Sequence, residues 1–310
     1  MGRLLRQILC LLPILAVAVW VVQHRSLIVS GLREVPSADG TWLLAATATT
    51  LLGWVAVSFA RQGTVHERLP AGRLFATQFA AGTANHLLPS GIGASAVNIR
   101  FMSRLGIPAT RSSAALALYF LAEGVSRATL LLALLLVFPE ALALGSLLPE
   151  EIGVPLAAAV VGGTAVLALG VAVAIGRVRR AVGRFLRSAF ADIRSLHGRP
   201  SRVACLWGGS FAFPVLQAAG LVAVARAFRL DVPDAHVVLA YLAASVVAAA
   251  VPSPGGLGSV DASLVLALAA TGAPVAAATS AVLAYRVITV WLPLLPGALV
   301  LGALVRRKVV

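Results

Sequence analysis

Long apolar runs separated by short polar stretches dominate this chain of 310 residues. A run of about 20 apolar residues, folded as an α-helix, is long enough to cross the hydrocarbon core of a bilayer. The pattern therefore predicts six full transmembrane spans. They cover residues 8–28, 41–60, 113–137, 152–175, 203–225 and 275–303.

Two further apolar segments are broken near their middle by glycine and proline. Residues 74–105 are interrupted by Leu-Pro-Ser-Gly-Ile-Gly at 88–93, and residues 235–271 by Val-Pro-Ser-Pro-Gly-Gly-Leu-Gly at 251–258. Their halves hold roughly 11 to 17 residues, which at about 1.5 Å per residue cover only part or most of a ~30 Å core. We expect both segments to be re-entrant helical hairpins.

The two broken segments indicate an internal repeat. Each is followed by Gly-x-Pro, at 106–108 and 272–274, and by a tyrosine thirteen residues after that glycine. Residues 1–140 and 150–310 would each hold three spans and one hairpin, and an odd number of crossings inverts the second half. The predicted fold is one all-α polytopic membrane domain, 1–310, of two inverted repeats. Paired interruptions of this kind mark substrate sites in transporters. The alternative is that two Ala-rich apolar sequences arrived at the same short motifs by convergence.

Composition supports the membrane assignment and limits the function. Hydrophobic residues make up 60% of the chain and charged residues 12%, about half the charged fraction of a soluble domain. The net charge of +14 comes from arginines in loops between spans, so we expect no nucleic-acid partner. Cys10 and Cys205 lie in or beside apolar runs, and the five histidines are scattered. No metal and no cofactor are therefore expected.

Arginine distribution predicts the orientation of the chain. Residues 177–202 carry eight arginines and one aspartate, and residues 306–308 are all basic. Such segments favour the cytoplasm. Residues 140–151 hold three glutamates and no basic residue, as an outside loop would. The prediction is a multi-pass protein of the cell (inner) membrane with both termini in the cytoplasm.

Charges inside the predicted spans are few, and intramembrane charges are functional hypotheses by default. Glu123 and Arg127 are four residues apart, so they share a helix face and can pair. Arg286, beside Tyr285, has no acid nearby in sequence, and its partner is Asp261, Glu123 or a bound anion. Ion pairs that only fix helix packing are the alternative interpretation.

Polar residues also flank both breaks. Ser259 and Asp261 open the helix after the second break, where they cap free N–H groups or belong to an anion site at the helix N-terminus. Asn85 and His86 precede the first break and either line the same cavity or satisfy interrupted backbone. Arg100 follows that break, as a headgroup contact or as a topogenic charge.

Several motifs are similar to those of one protein family over the whole chain. They are most specific at 252–297, in Pro252-Ser-Pro-Gly-Gly-Leu-Gly258, Asp261, Gly272, Tyr285-Arg286, Trp291-Leu292-Pro293 and Pro296-Gly297, and looser in Asn85, Pro89, Gly93, Gly106, Glu123 and Arg127. In this order and spacing the chain resembles the flippase-like family of the lysylphosphatidylglycerol synthase transmembrane domain. It departs from the family at Asp261, where glutamate is commoner, and at Ala94, where many members carry glutamate.

The resemblance implies translocation of an anionic lipid or lipid-linked intermediate between leaflets. The synthases' soluble lipid-making domain is missing here, so lipid synthesis by this chain alone is not expected. With Lys308 as the single lysine and no G-x-S-x-G motif, no catalytic residue is predicted. Protonation of Glu123 or Asp261 would couple transport to a proton gradient; uncoupled movement is equally compatible.

Two other functions remain open at this stage. One is a non-transporting scaffold subunit of an envelope-glycolipid pathway, and the other is an intramembrane enzyme acting on a polyprenyl phosphate. A scaffold does not need charged groups facing a cavity, whereas an enzyme should need an additional nucleophile or metal cluster. A homodimer and an envelope-biosynthesis enzyme are the partners considered besides the lipid.

The predicted orientation can be measured by cysteine labelling. In a background lacking Cys10 and Cys205, single cysteines replace Ser195 in the basic segment and Ser146 in the acidic one. An impermeant maleimide should label Ser146→Cys in intact cells and Ser195→Cys only after permeabilisation, because basic loops remain in the cytoplasm. The reverse labelling pattern would contradict the topology.

Overall fold

The part of the protein that the structure describes consists of helices and their connections. The structure is a computed structural model, and it describes residues 38–87, 92–138, 198–250, 259–307 and 309–310. The helices are α1 (Gly40–Gly63), α2 (Ala71–Leu87), α3 (Ile92–Arg104), α4 (Ala109–Val137), α5 (Pro200–Ala227), α6 (Asp234–Ala250), α7 (Ser259–Ala270), α8 (Val275–Arg286) and, after the π-helical turn Val287–Trp291, α9 (Leu292–Arg306).

Four of the six predicted spans lie within these residues, and all four are confirmed. Helices α1, α4 and α5, and the continuous helix Val275–Arg306, are long and apolar enough to cross a membrane. The predicted spans at 8–28 and 152–175 lie outside the described residues. The chain is therefore an all-α, multi-pass membrane protein, in which apolar helices satisfy their own backbone hydrogen bonds.

Each broken segment forms two shorter helices that pack against each other, α2 with α3 and α6 with α7. In the first pair a Cβ on Gly93 would lie 2.0 Å from the carbonyl oxygen of Ala84, so only glycine permits this approach of the two backbones. The buried side chain of Gln78 donates to Asn98 Oδ1 at 2.8 Å, and Asn98 Nδ2 donates to the carbonyl of Ala94 at 2.8 Å. This buried amide pair joins α2 to α3, because an unpaired amide there would be costly.

The two halves use the same turn to leave the broken segment. Gly106 ends α3 with φ +81°, and Gly272 ends α7 with φ +98°, a conformation that glycine adopts without steric cost. In each turn the residue after the glycine donates its N–H to the carbonyl five residues earlier, at 3.0 Å in the first turn and 3.2 Å in the second. Both are Schellman C-caps. Pro108 and Pro274 then precede the next helix.

Helices α1 and α5 form the most extensive helix pair of the described bundle. Added Cβ atoms would lie 2.4 Å from Ala56 O at Gly209, 2.4 Å from Leu206 N at Gly63 and 2.9 Å from Thr49 Oγ1 at Gly220. Small residues let two apolar helices approach closely, and van der Waals packing then replaces the hydrophobic driving force that lipid does not provide. Two other helix pairs also join residues 1–140 to residues 150–310: α2 packs on α9, and α6 packs on α4.

The helices begin and end at two opposite ends of the bundle. One is rich in arginine and is called the basic end; the other holds both aspartates and arginines and is called the mixed end. At the basic end Arg202 donates to the carbonyls of Gln62 at 2.7 Å and His66 at 2.8 Å, joining the start of α5 to the loop after α1. Arg111 lies 3.7 Å from Glu67, which adds the start of α4. At the opposite end the N–H of Asp39 donates to Ala227 at 3.1 Å, and Arg226 pairs with Asp234.

Adjacent glycines on α5 provide a test of the close α1–α5 contact. Gly209→Ala should lower the free energy of unfolding by about 1–3 kcal/mol, because the new methyl group overlaps the backbone of α1. A Cβ on Gly208 would meet no neighbouring atom within 4 Å, so Gly208→Ala should be neutral or slightly stabilising. Thermal unfolding of both variants in detergent, followed by tryptophan fluorescence, distinguishes them. Equal melting temperatures would contradict the contact.

Candidate functional site

The last membrane helix changes its winding directly after Arg286. Pro293 has no N–H and its ring crowds the carbonyl four residues earlier, so it disturbs the ordinary α-helical pattern at this point. The helix widens into the π-helical turn Val287–Trp291, and the N–H of Leu292 bonds to the carbonyl of Val287. Such turns are often found at functional sites. Arg286 lies 11 residues from the start of the helix Val275–Arg306, about 17 Å along its axis.

Arg286 forms an ion pair with Asp261 in the first turn of α7. The Arg286 side chain is 9% exposed and that of Asp261 is 27% exposed. Of the three partners considered from sequence, the structure selects Asp261. The acid is distant in sequence but close in space, because α7 and α8 pack against each other and bring together residues 25 positions apart.

A second ion pair lies at the middle of α4. Arg127 Nη2 donates to Glu123 Oε1 at 2.7 Å, as the spacing of four residues predicts. The Arg127 guanidinium also interacts with the hydroxyl of Tyr241 on α6 and lies 5.8 Å from the ring of Phe213 on α5. The pair therefore connects α4 to α5 and α6.

Tyr241 and Tyr285 connect the two ion pairs. Their ring centroids are 6.5 Å apart in an edge-to-face arrangement, a favourable geometry for aromatic rings. The Tyr285 hydroxyl lies 3.1 Å from both the backbone oxygen and Oε1 of Gln217. Either oxygen can accept the hydrogen bond that this hydroxyl donates. The two tyrosines and the two ion pairs form a set of polar side chains inside the bundle, in which Tyr285 interacts electrostatically with both Arg286 and Arg127.

Arg61 extends this set towards the basic end. Its guanidinium lies 3.6 Å from the centre of the Tyr119 ring, and the residue is 6% exposed. Its Nε and Nη1 atoms have no hydrogen-bond partner among the described residues, and the Glu123 carboxylate is its electrostatic partner. The predicted span 41–60 leaves Arg61 in the loop that follows, which was wrong, because Arg61 lies in the last turn of α1. Arg61 lies eleven residues after the buried Thr50 and four after the half-buried Val57, so these residues share a helix face, and that spacing was the available signal.

The remaining predicted site residues do not join this set through any contact described. Asn85 and His86 are half-buried in the last turn of α2, and Arg100 is exposed on α3. Ser259 is the first residue of α7, but its side chain lies outside the described residues. Among the residues described, no three His, Cys, Asp or Glu side chains form a metal-binding group.

A double-mutant cycle measures the Asp261–Arg286 pair. Asp261→Asn should lower the free energy of unfolding by about 1–3 kcal/mol, below the 3–5 kcal/mol of a fully buried pair because Asp261 retains solvent contact. Asp261→Asn/Arg286→Gln should regain part of that loss, since no uncompensated guanidinium remains. Asp231→Asn, at an exposed position, is the matched control. Additive effects of the two single substitutions would contradict the pair.

Comparison with known proteins agrees with the helical architecture and with the motifs around Arg286. The family described as the lysylphosphatidylglycerol synthase TM region matches residues 7–297. No curated protein matches the chain significantly. Because the match covers nearly the whole sequence, and with it both ion pairs, the chain belongs to the family of lysylphosphatidylglycerol synthase transmembrane regions.

Proposed function

We propose that this protein moves an anionic lipid, or a lipid-linked intermediate, between the leaflets of the membrane. The observation that carries this proposal is the Asp261–Arg286 pair, a guanidinium and a carboxylate in the middle of an apolar helix bundle. A charge at the centre of a transmembrane helix costs about 2.5–3.5 kcal/mol on insertion scales. Family membership supports a role in membrane-lipid chemistry, and the pair supports transport of an anion.

Exchange of counter-ions is the mechanism that this arrangement supports. An arriving phosphate or other headgroup anion replaces Asp261 as the partner of Arg286, and Asp261 takes Arg286 back when the lipid leaves. The planar guanidinium binds two oxygens at once, which suits phosphate and carboxylate groups. The helix start at Ser259 adds N–H groups beside the same position.

The contacts between halves support an inverted-repeat transporter. Helix α2 of the first half packs on α9 of the second, and α6 of the second half packs on α4 of the first, the reciprocal exchange that a pseudo-two-fold axis produces. The matching turns at Gly106 and Gly272 agree with such an axis. In this proposal the hairpins enter from opposite faces, and rocking of one half against the other exposes Arg286 alternately.

Charge distribution supports the orientation. Arginines gather at the basic end, where Glu67 is the one acid among the described residues, whereas the opposite end holds three acids and two arginines. We place the basic end, with both termini, in the cytoplasm of a cell whose inner membrane holds the protein. In this proposal, protonation of Glu123 or Asp261 is one way to couple transport to a proton gradient. Transport without catalysis is favoured over the scaffold function and over the enzyme function.

Substitution of Arg286 tests transport directly. Proteoliposomes carry NBD-labelled phosphatidylglycerol as a representative anionic lipid, and dithionite quenching reports its movement between leaflets. Arg286→Gln should reduce movement to the protein-free rate, because no cation remains to compensate the headgroup. Arg286→Lys should retain partial activity at most, since lysine keeps the charge but cannot bind two oxygens at once as the planar guanidinium does. Arg229→Gln, an exposed position at the mixed end, should transport like the wild type.

Folding and function are separated by melting temperature and by the double variant Asp261→Asn/Arg286→Gln. This double variant leaves no unpaired charge, so it should fold even where Arg286→Gln does not, and it should still be inactive. Wild-type movement in a stably folded Arg286→Gln or double variant would refute the headgroup assignment and favour a scaffold.

A further inference from the structure

A cavity of about 450 Å³ lies at the basic end, where three helix termini meet. The start of α2 contributes Gly72 and Arg73, the end of α3 contributes Phe101 and Arg104, and Arg307 follows the end of α9. This junction is separate from the Asp261–Arg286 pair. Arg307 is 21 residues beyond Arg286 along the same membrane helix, which corresponds to about 31 Å along its axis.

Three guanidinium groups and no carboxylate line the cavity. None of the three arginines pairs with an acid of the described chain. Arg104 and Arg307 stand at helix C-termini, where the helix dipole favours a positive charge. Arg73 stands in the first turn of α2, which contains no acid, and there the dipole opposes its charge. Helix electrostatics therefore explain two of the arginines and leave Arg73 without a favourable role in the ligand-free protein.

The cavity wall also has an apolar part. Phe101, Leu105 and Leu304 lie beside the arginines, and Phe101 is buried. A volume of about 450 Å³ far exceeds that of a single water, whose share of liquid volume is about 30 Å³. An amphipathic anion fits this combination: its charged group contacts the three guanidinium groups, and its neighbouring carbon atoms contact the leucine and phenylalanine side chains.

We propose that this cavity binds the phosphate group of an anionic phospholipid in the leaflet at the basic end. Arginine-rich protein segments at a membrane surface attract anionic lipids. Arginine binds phosphate oxygens through charge-assisted hydrogen bonds. The free N–H groups at the start of α2 add to the attraction. The bound lipid holds α2, α3 and α9 together by neutralising three like charges. This site is additional to the proposed transport site and does not depend on it.

The test measures stabilisation of the purified full-length protein in neutral detergent by short-chain lipids. Dihexanoyl phosphatidylglycerol should raise the melting temperature in a saturable manner, and dihexanoyl phosphatidylcholine should not. Arg73→Gln/Arg104→Gln/Arg307→Gln should weaken the apparent affinity for phosphatidylglycerol by about tenfold or more, that is, by at least about 1.4 kcal/mol. Arg68→Gln, at an exposed position of the same end outside the cavity lining, is the matched control and should bind like the wild type.

Arg73→Gln alone distinguishes a ligand site from a structural role. Without lipid it should melt at the same temperature as the wild type or higher, because the helix dipole no longer opposes a charge, and it should bind phosphatidylglycerol several-fold more weakly. A lower melting temperature without lipid, with unchanged affinity, would make Arg73 structural and overturn the proposal.

Two further outcomes bear on the ligand. Equal stabilisation by inorganic phosphate would show that the shared phosphate chemistry is recognised without the lipid, and it would overturn the lipid assignment. If Asp261→Asn/Arg286→Gln abolishes the stabilisation by phosphatidylglycerol while the triple variant keeps wild-type affinity, the stabilising lipid binds at the Asp261–Arg286 pair and the second site is refuted. Failure of the proposed translocation would leave this binding result unchanged.

Discussion

Arg286 places a guanidinium about a third of the way along an apolar helix, and that group requires a partner inside the protein. Asp261 supplies it from α7, which fixes the position of that helix against α8. Breaking a buried pair leaves an uncompensated ion, whereas forming one yields little net stability. The pair is therefore better explained as a constraint on arrangement, and under the proposed function as a preformed anion site, than as a source of stability. Tyr285 and Tyr241 extend the same constraint to Glu123 and Arg127 on α4.

Close helix packing makes this arrangement possible. Glycines on α1 and α5 bring the two central spans into backbone contact, and the contacts α2 with α9 and α6 with α4 join each broken segment to the opposite half. In lipid, where apolar side chains gain little by leaving the solvent, contact of this kind holds helices together. The charged groups then lie where helices of residues 1–140 and 150–310 meet, as the proposed transport by rocking of two halves requires.

Charge is used differently at the basic end. Arg202 satisfies backbone carbonyls of the loop after α1, so it acts as a structural clamp. Arg73, Arg104 and Arg307 surround a cavity without an acid, which is the arrangement of an anion site. Arg202 and the three cavity arginines lie at the same end of the bundle but face different partners. Residue type alone does not distinguish these two roles.

The sequence by itself determined the features that depend on neighbouring residues. Apolar run length predicted the four spans that the structure describes, and the predicted broken segments 74–105 and 235–271 end one residue beyond α3 and α7. A spacing of four residues predicted the Glu123–Arg127 pair. These follow from helix periodicity and local backbone sterics. Only the tertiary structure decided that Asp261 is the partner of Arg286, that Arg61 is buried against Tyr119, and that three arginines from different helices share one cavity. Such contacts join segments far apart in the chain, and their partners are selected by how helices pack, which local periodicity does not encode.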